Sequence, residues 1–382
     1  MNEVIAILAL LVVSVRATCT PSPTNICVTL DFFDGETGYY YLDTGNGPKG
    51  PSPTIQAYIG QTITFDQTDE SNWYHPIGFA YEPDGAHGSD WGGAELAEVE
   101  RADELQYKIN SNNPTCADAG DTGLDCYEPE FFYPRSEWLT KEYKAELTIT
   151  QDVANDSFGG VIYYFCHIHS KMSGKIEIFA NDTLTNRVSG QGAEKTLYTT
   201  SQPDEFDSKC GTTAISPFKN GGVKACNVQF FPGTHDTDFE QCLQAIDCQM
   251  HWDMYGTTTA NHASKIQTFM QQMIPHHQNA VNMAKLLLKQ STQAEIDAVE
   301  DLEDVLKSII NVQNFQVHYF RNNLNPDNKL LISSDSKPSH FESSDCECES
   351  SSAPKFHVFR IMQTIMIAGF GGALLLQYNI LI

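Results

Sequence analysis

Residues 161–179 read VIYYFCHIHSKMSGKIEIF and set Cys166, His169 and Met172 within seven residues. Another imidazole is available far upstream, at His75 in NWYHPIGFAY. Two imidazoles, one thiolate and a weak thioether make the donor set of a type 1 (blue) copper centre. Thiolate and thioether are soft donors that hold Cu(I), and imidazole suits Cu(II). A rigid loop keeps the geometry alike in both states, so one electron moves with little reorganisation. A lone cysteine in a strand is most often a buried small hydrophobe. Three soft donors so close together, with a distant partner, point to a metal instead. His87 and His167 are further imidazoles of this half and are left outside the ligand set.

Another group of soft donors lies in HASKIQTFMQQMIPHHQNAVNMAKLLLKQ. At about 100° per residue, Met270, Met273, His276, His277 and Met283 fall within a helical arc of roughly 140°. Methionine commonly fills irregular core gaps, but buried histidines need hydrogen-bond partners or a metal. Met250, His251 and Met254 add donors on the preceding segment as second choices. Thioether softness makes Cu(I) the expected guest. A di-iron carboxylate centre would need Glu-x-x-His motifs on paired helices, and this segment has none.

The elements that must position these residues change character along the chain. From Asn25 to about Ala180 the period is two: Ile26, Val28, Leu30 and Phe32 alternate with polar residues. PTIQAYIGQTITFDQTD repeats the pattern on either side of Gly60, which fits a turn or a strand bend. AELTITQD and KIEIF add later strands, and short strands with turn signals argue for a β-sandwich or barrel. Beyond a Gly/Ser/Thr-rich connector the period becomes helical. DFEQCLQAIDCQMHWDMY, the Met/His segment and QAEIDAVEDLEDVLKSIINVQNFQVHYFRNNL predict three helices. Asp236 or Thr237 caps the first, and residues 253–259 break it. Pro275 kinks the second or starts a new segment at its first turn. Asn325-Pro326 ends the third.

The first half resembles a cupredoxin. The matching pieces are the PTIQAYIGQTITFDQTD strand pair, the His75-Pro76 segment, and the Cys166-x2-His169-x2-Met172 loop before Gly174 and a final strand. The ligand spacing is like that of amicyanin rather than plastocyanin. The resemblance implies a Greek-key β-sandwich in which His75, Cys166 and His169 are strong copper ligands and Met172 the axial one. Two features depart from the pattern. His167 beside Cys166 is similar to the Cys-His-Ile run of multicopper oxidases, yet Phe165 stands where those have histidine. Residues 81–140 form a long insertion containing Cys116 and Cys126.

FMQQMIPHHQNAVNMAK in turn closely resembles the motif of the family catalogued as domain of unknown function 305. The resemblance covers about residues 237–325 and includes IINVQNFQVHYFRNNL. It implies a ferritin-like helical bundle with copper or silver binding in metal tolerance. Met270, Met273, His276, His277 and Met283 are its implied ligands.

The ends and the charge set the context. MNEVIAILALLVVSVRATC predicts a secretory signal cleaved after Ala17, its apolar run being too short to span a bilayer. Sequons at Asn155 and Asn181 are expected glycosylation sites. A Ser- and acid-rich stretch cannot bury a core and predicts a solvated stalk. Small residues at Ser350–Ser352 followed by an apolar tail resemble a GPI-attachment signal, with a single transmembrane helix as the rival. Forty-nine acidic side chains against 23 basic ones give a net charge of −26, which repels phosphate backbones and excludes nucleic acid as a partner.

Eleven cysteines suit an oxidising compartment. Cys166 set aside, Cys19/Cys27 and Cys116/Cys126 are plausible local pairs. On one helix Cys242 and Cys248 point about 120° apart, so Cys210 and Cys226 are their better partners. Cys346 and Cys348 lie in the stalk.

The chain thus divides into a signal peptide (1–17), a cupredoxin-like β domain (18–180), a disulfide-containing connector (181–235), a helical Met/His-rich domain (236–330), a stalk (331–355) and a hydrophobic tail (356–382). The fold class expected is multidomain β + α, a cupredoxin-like Greek-key sandwich followed by a ferritin-like bundle. The expected function is that of a secreted copper protein anchored at the cell surface. It would couple type 1 electron transfer to Cu(I) binding, with copper ions, a redox partner and the membrane as its partners. The alternatives are a copper-dependent oxidoreductase and a structural or adhesive surface protein with a non-redox metal. A multicopper oxidase would need repeated His-x-His pairs, and only His167-Ile168-His169 is present.

Overall fold

The computed structural model describes residues 18–85, 87, 97–197, 202–230, 237–258 and 264–324. The signal segment, the stalk with its two cysteines, Ser350 and the tail lie outside the described residues, as do Asp236 and Asn325-Pro326. Among the described residues no helix is long and apolar enough to cross a membrane.

The N-terminal region is built of strands β1 (Asn25–Asp31), β2 (Tyr39–Asp43), β3 (Pro48–Lys49), β4 (Ile55–Tyr58), β5 (Thr62–Asp66), β6 (Ile77–Ala80), β7 (Leu105–Ile109), β8 (Tyr143–Thr148), β9 (Val161–Cys166) and β10 (Gly174–Phe179). They form a six-stranded sheet in the order β3-β2-β1-β5-β8-β7 and a four-stranded sheet in the order β4-β10-β9-β6. In β1 the alternation acts as expected, burying Ile26, Val28 and Leu30 on one face. The two sheets share a core: Phe65 and Phe79, one from each, have ring centroids 4.9 Å apart.

Gly60 proves to be a corner between sheets. β4 pairs in parallel with β10, whereas β5 pairs with β1 and β8 in the other sheet. Gly60 has φ +88°, a left-handed conformation that only glycine adopts freely, and the chain uses it to change layers. The 81–140 insertion is woven into the sandwich. It supplies the edge strand β7 and two short helices, α1 (Leu124–Tyr127) and α2 (Arg135–Trp138). Its Trp138 stacks on Tyr143 of β8 at 4.8 Å.

Helices α3 (Gln151–Asp156) and α4 (Glu205–Cys210) are also short. The C-terminal region consists of α5 (Asp238–Thr258), α6 (Lys265–Gln290), α7 (Gln293–Asp297) and α8 (Leu302–Leu324). Thr237 begins α5 reciprocally: its hydroxyl accepts from the Glu240 N–H, and the Glu240 carboxylate accepts from the Thr237 N–H. The sequence pattern differs from the structure at three places. α5 continues past Asp253 to Thr258, because packing on α6, including a 2.9 Å bond from Gln272 to the Met254 carbonyl, outweighs weak local propensity. α6 runs through Pro275 without starting anew. The third helix is two, since Asp301 takes a left-handed φ of +59° that separates α7 from α8.

Four disulfides join Cys19–Cys27, Cys116–Cys126, Cys210–Cys242 and Cys226–Cys248, leaving Cys166 as the free thiol among the described residues. Cys242 and Cys248 thus tie α5 to the connector on two sides.

The helices pack directly on the sandwich. Val281, Ala284, Ile296, Leu306 and Ile310 belong to the same apolar core as the strands. Polar contacts flank it: Arg135 meets Asp304 at 2.9 Å, and Arg321 meets Glu36 at 2.8 Å. Buried Lys285 donates to the Gly35 and Glu36 carbonyls at 3.2 and 2.9 Å.

Candidate metal centre

β9 is buried at all six positions and ends at Cys166, paired with Ile77 at the start of β6. That register carries the residues just before β6 to the same end of the sheet. His75 is held there by its backbone: its N–H donates to the Asn72 carbonyl at 2.8 Å. Its carbonyl accepts from the Gln67 side chain at 2.7 Å and the Tyr40 hydroxyl at 3.0 Å. Tyr74 beside it has φ +69°, a conformation costing about 1–3 kcal/mol outside glycine. Edge contacts of its ring with Trp73 and Phe132, at 4.7 and 5.4 Å, fix it there. The 167–173 loop then returns His169 towards Cys166.

Three of the four expected donors converge. His75 Nδ1 is 3.7 Å and His169 Nδ1 3.8 Å from Cys166 Sγ, and the three ligand atoms lie within 4.8 Å of one another. Imidazole and thiolate bonds of about 2.0 and 2.3 Å, meeting at about 120°, put nitrogen and sulfur ~3.7 Å apart. The donor spacing therefore fits a trigonal metal ion. All three residues are fully buried. Met172 is equally buried, belongs to the same apolar core as Cys166, and has its carbonyl bonded to the Ser52 hydroxyl at 3.2 Å.

A residue unremarked in the sequence completes this centre. Asn311 of α8 meets His75 Nε2 with its side-chain oxygen at 3.1 Å and His169 Nε2 with its backbone carbonyl at 2.9 Å. The available signal was the helical spacing of Asn311, Asn314, His318 and Arg321, which sets four polar residues on one face of α8.

Burial sets the protonation of the centre. It drives His75 well below the ordinary histidine value, with repulsion from His169 second, and His169 down to about 4. It pushes the Cys166 thiol up to about 12 against backbone N–H bonds from His169 and Ile168. Without a metal all three donors are neutral at pH 7, and Nδ1 of each imidazole faces the one thiol.

His87 and His167 stand outside the trio. His87 Nε2 lies 2.8 Å from the Cys166 carbonyl, and His167 lies between Glu98 and Glu128 at 3.8 Å from each. Burial, and then repulsion from His87, holds His167 down at about 3.

The helical donors are more dispersed. His276, Met283 and His251 are exposed, whereas Met250, Met254, Met270, Met273 and His277 are half-buried. The His276 and His277 rings are 5.9 Å apart, and His251 packs against Phe230 at 5.7 Å. Among the described residues, the trio at His75, Cys166 and His169 is the one metal-sized group of histidine, cysteine and carboxylate donors. His277 Nδ1 is buried without a hydrogen-bond partner. Asn155 and Asn181 are both exposed.

The family model described as Domain of unknown function (DUF305) matches residues 266–336. The match begins at α6 and leaves out α5 with Met250, His251 and Met254. No curated protein and no solved structure matches the chain.

Proposed function

We propose that the sandwich is a cupredoxin-like domain that holds one type 1 copper ion through His75, Cys166 and His169, with Met172 axial, and carries single electrons. The convergence of both Nδ1 atoms on Cys166 Sγ, at 3.7 and 3.8 Å, carries this reading. Copper bound there supplies a one-electron Cu(II)/Cu(I) couple. The surrounding chain excludes water, since every donor is buried, and its rigidity keeps the donors in place in either state. Titration with Cu(II) tests it: an intense visible thiolate-to-copper band is expected in the native protein and should vanish in Cys166→Ser. A native protein that binds Cu(II) without such a band would refute it.

In this reading α5–α8 form a ferritin-like module that takes up Cu(I) through Met270, Met273, His276, His277 and Met283. The unpartnered Nδ1 of His277 supports a ligand there. Cu(I) affinity, measured by chelator competition, should fall in a His276→Ala/His277→Ala double variant. An unchanged value would leave the helices as the cover of the sandwich site. Four disulfides and two exposed sequons support secretion, with anchoring at the cell surface as part of the same proposal.

A further inference from the structure

We propose that Asn311 makes the helical region one half of the metal centre: it selects which imidazole nitrogens face Cys166, so that metal loading and docking of α8 strengthen one another. This rests on reading the trio as a metal centre and adds to it the role of a second region of the chain.

A carbonyl oxygen only accepts. His169 Nε2, 2.9 Å from the Asn311 backbone oxygen, must therefore carry the ring hydrogen, which leaves Nδ1 bare. The Asn311 side chain is oriented by its other end, because Nδ2 lies 3.3 Å from the Trp73 carbonyl, which can only accept. Oδ1 is thereby turned to His75 Nε2 at 3.1 Å, and His75 too carries its hydrogen on Nε2. One residue, 236 positions from His75, thus presents both Nδ1 lone pairs to the sulfur. Neutral histidine in water has no such fixed choice.

Coupling follows from charge. A metal at Nδ1 draws electron density from the ring and makes each Nε2–H a stronger donor. Its bonds to Asn311 are then stronger in the loaded centre than in the empty one. By linkage the same free energy raises metal affinity whenever α8 is docked. Partners of this kind typically change metal affinity by about 10–100-fold. α8 is suited to act as a cap because it is pinned on both sides of Asn311, by Asp304 to Arg135 at 2.9 Å and by Arg321 to Glu36 at 2.8 Å. All three ligands are fully buried, and α8 lies directly against two of them, His75 and His169.

Three measurements test the proposal. Nitrogen-15 NMR of the metal-free protein should show His75 and His169 each as the single Nε2–H tautomer. In Asn311→Ala, His75 should lose that preference while His169, held by the backbone carbonyl, keeps it, and Asn311→Asp should restore His75. Mixed tautomers in the native protein, or no change in Asn311→Ala, would overturn the assignment. Cu(I) affinity by chelator competition should fall about 10–100-fold in Asn311→Ala. Hydrogen exchange of residues 302–324 in the native protein, which needs no variant to fold, should slow on Cu(I) loading. Metal binding with unchanged exchange would overturn the coupling alone. A native protein that binds no metal would overturn the metal-centre reading and the coupling together, whereas the tautomer result would still stand.

Discussion

The sulfur of Cys166 stands 3.7 Å from Nδ1 of His75, a residue 91 positions earlier in the chain. The contact is enclosed on every side, and burial raises the thiol to about 12. Cys166 should therefore resist iodoacetamide at neutral pH in the native metal-free protein and become labelled only as the chain unfolds. Peptide mapping across a urea series checks this. Labelling of Cys166 well below the unfolding midpoint would show that the pocket opens locally.

Acid should destabilise the metal-free protein well above the pH at which ordinary carboxylates titrate. Burial holds His169 at about 4 and His167 and His318 at about 3, against an ordinary value of 6.5. Between those values the unfolded chain binds protons that the folded chain refuses, so stability is full above pH 6.5 and falls as pH drops towards 4. Each group contributes about 1.4 kcal/mol per pH unit. Glu128, raised by burial to about 7, acts the other way between 7 and 4.5. His75, which burial also drives well below the ordinary value, adds a fourth histidine, so the net loss reaches about 4 kcal/mol per pH unit. Urea midpoints at pH 7, 6 and 5 should decline, and more steeply in Glu128→Gln.

Arg135 fixes the start of α8 to the sandwich. Its side chain is 8% exposed and reaches Glu70 at 2.6 Å and Asp304 at 2.9 Å. Water reaches both carboxylates, at 53% and 37% exposure, so the expected cost of Arg135→Met is about 1–2 kcal/mol. Lysine should restore little, because only the guanidinium fork spans both partners. Urea unfolding at low and high salt provides the measurement, and the difference between variant and native protein should shrink with salt.

Lys285 serves as a structural donor inside the interface. Burial lowers it to about 8, opposed by Glu36, Asp31 and Asp34, and its ammonium satisfies two backbone carbonyls. Lys285→Met keeps the stem and removes the donors, at an expected cost of about 1–3 kcal/mol. Equal stability of the two proteins by denaturant titration would show that other groups satisfy those carbonyls.

Much of the framework was legible before folding was considered. Ile26, Val28 and Leu30 announced a strand because period two is a local property of the pleat. Cys242 and Cys248 excluded each other because rotation along one helix is also local, and the structure pairs them with Cys210 and Cys226. Asp301 was missed because its left-handed turn carries no glycine or proline to mark it. The turn or bend at Gly60 was legible between two alternating strands, yet alternation does not name the sheet a strand joins, and the two join different sheets.

What the sequence determined by itself is the chemistry on offer: soft donors at Cys166, His169 and Met172, an imidazole at His75, and the helical face that gathers the Met/His set. The tertiary structure decided which of these meet. It brought His75 to Cys166 through the register of β6 and β9, and it left His276 and Met283 exposed. It also laid Asn311 across both imidazoles. Spacing along a strand or helix is set by backbone geometry within a few residues. A hydrogen bond across 236 residues is set only when two regions bury a common core, and that leaves no local mark.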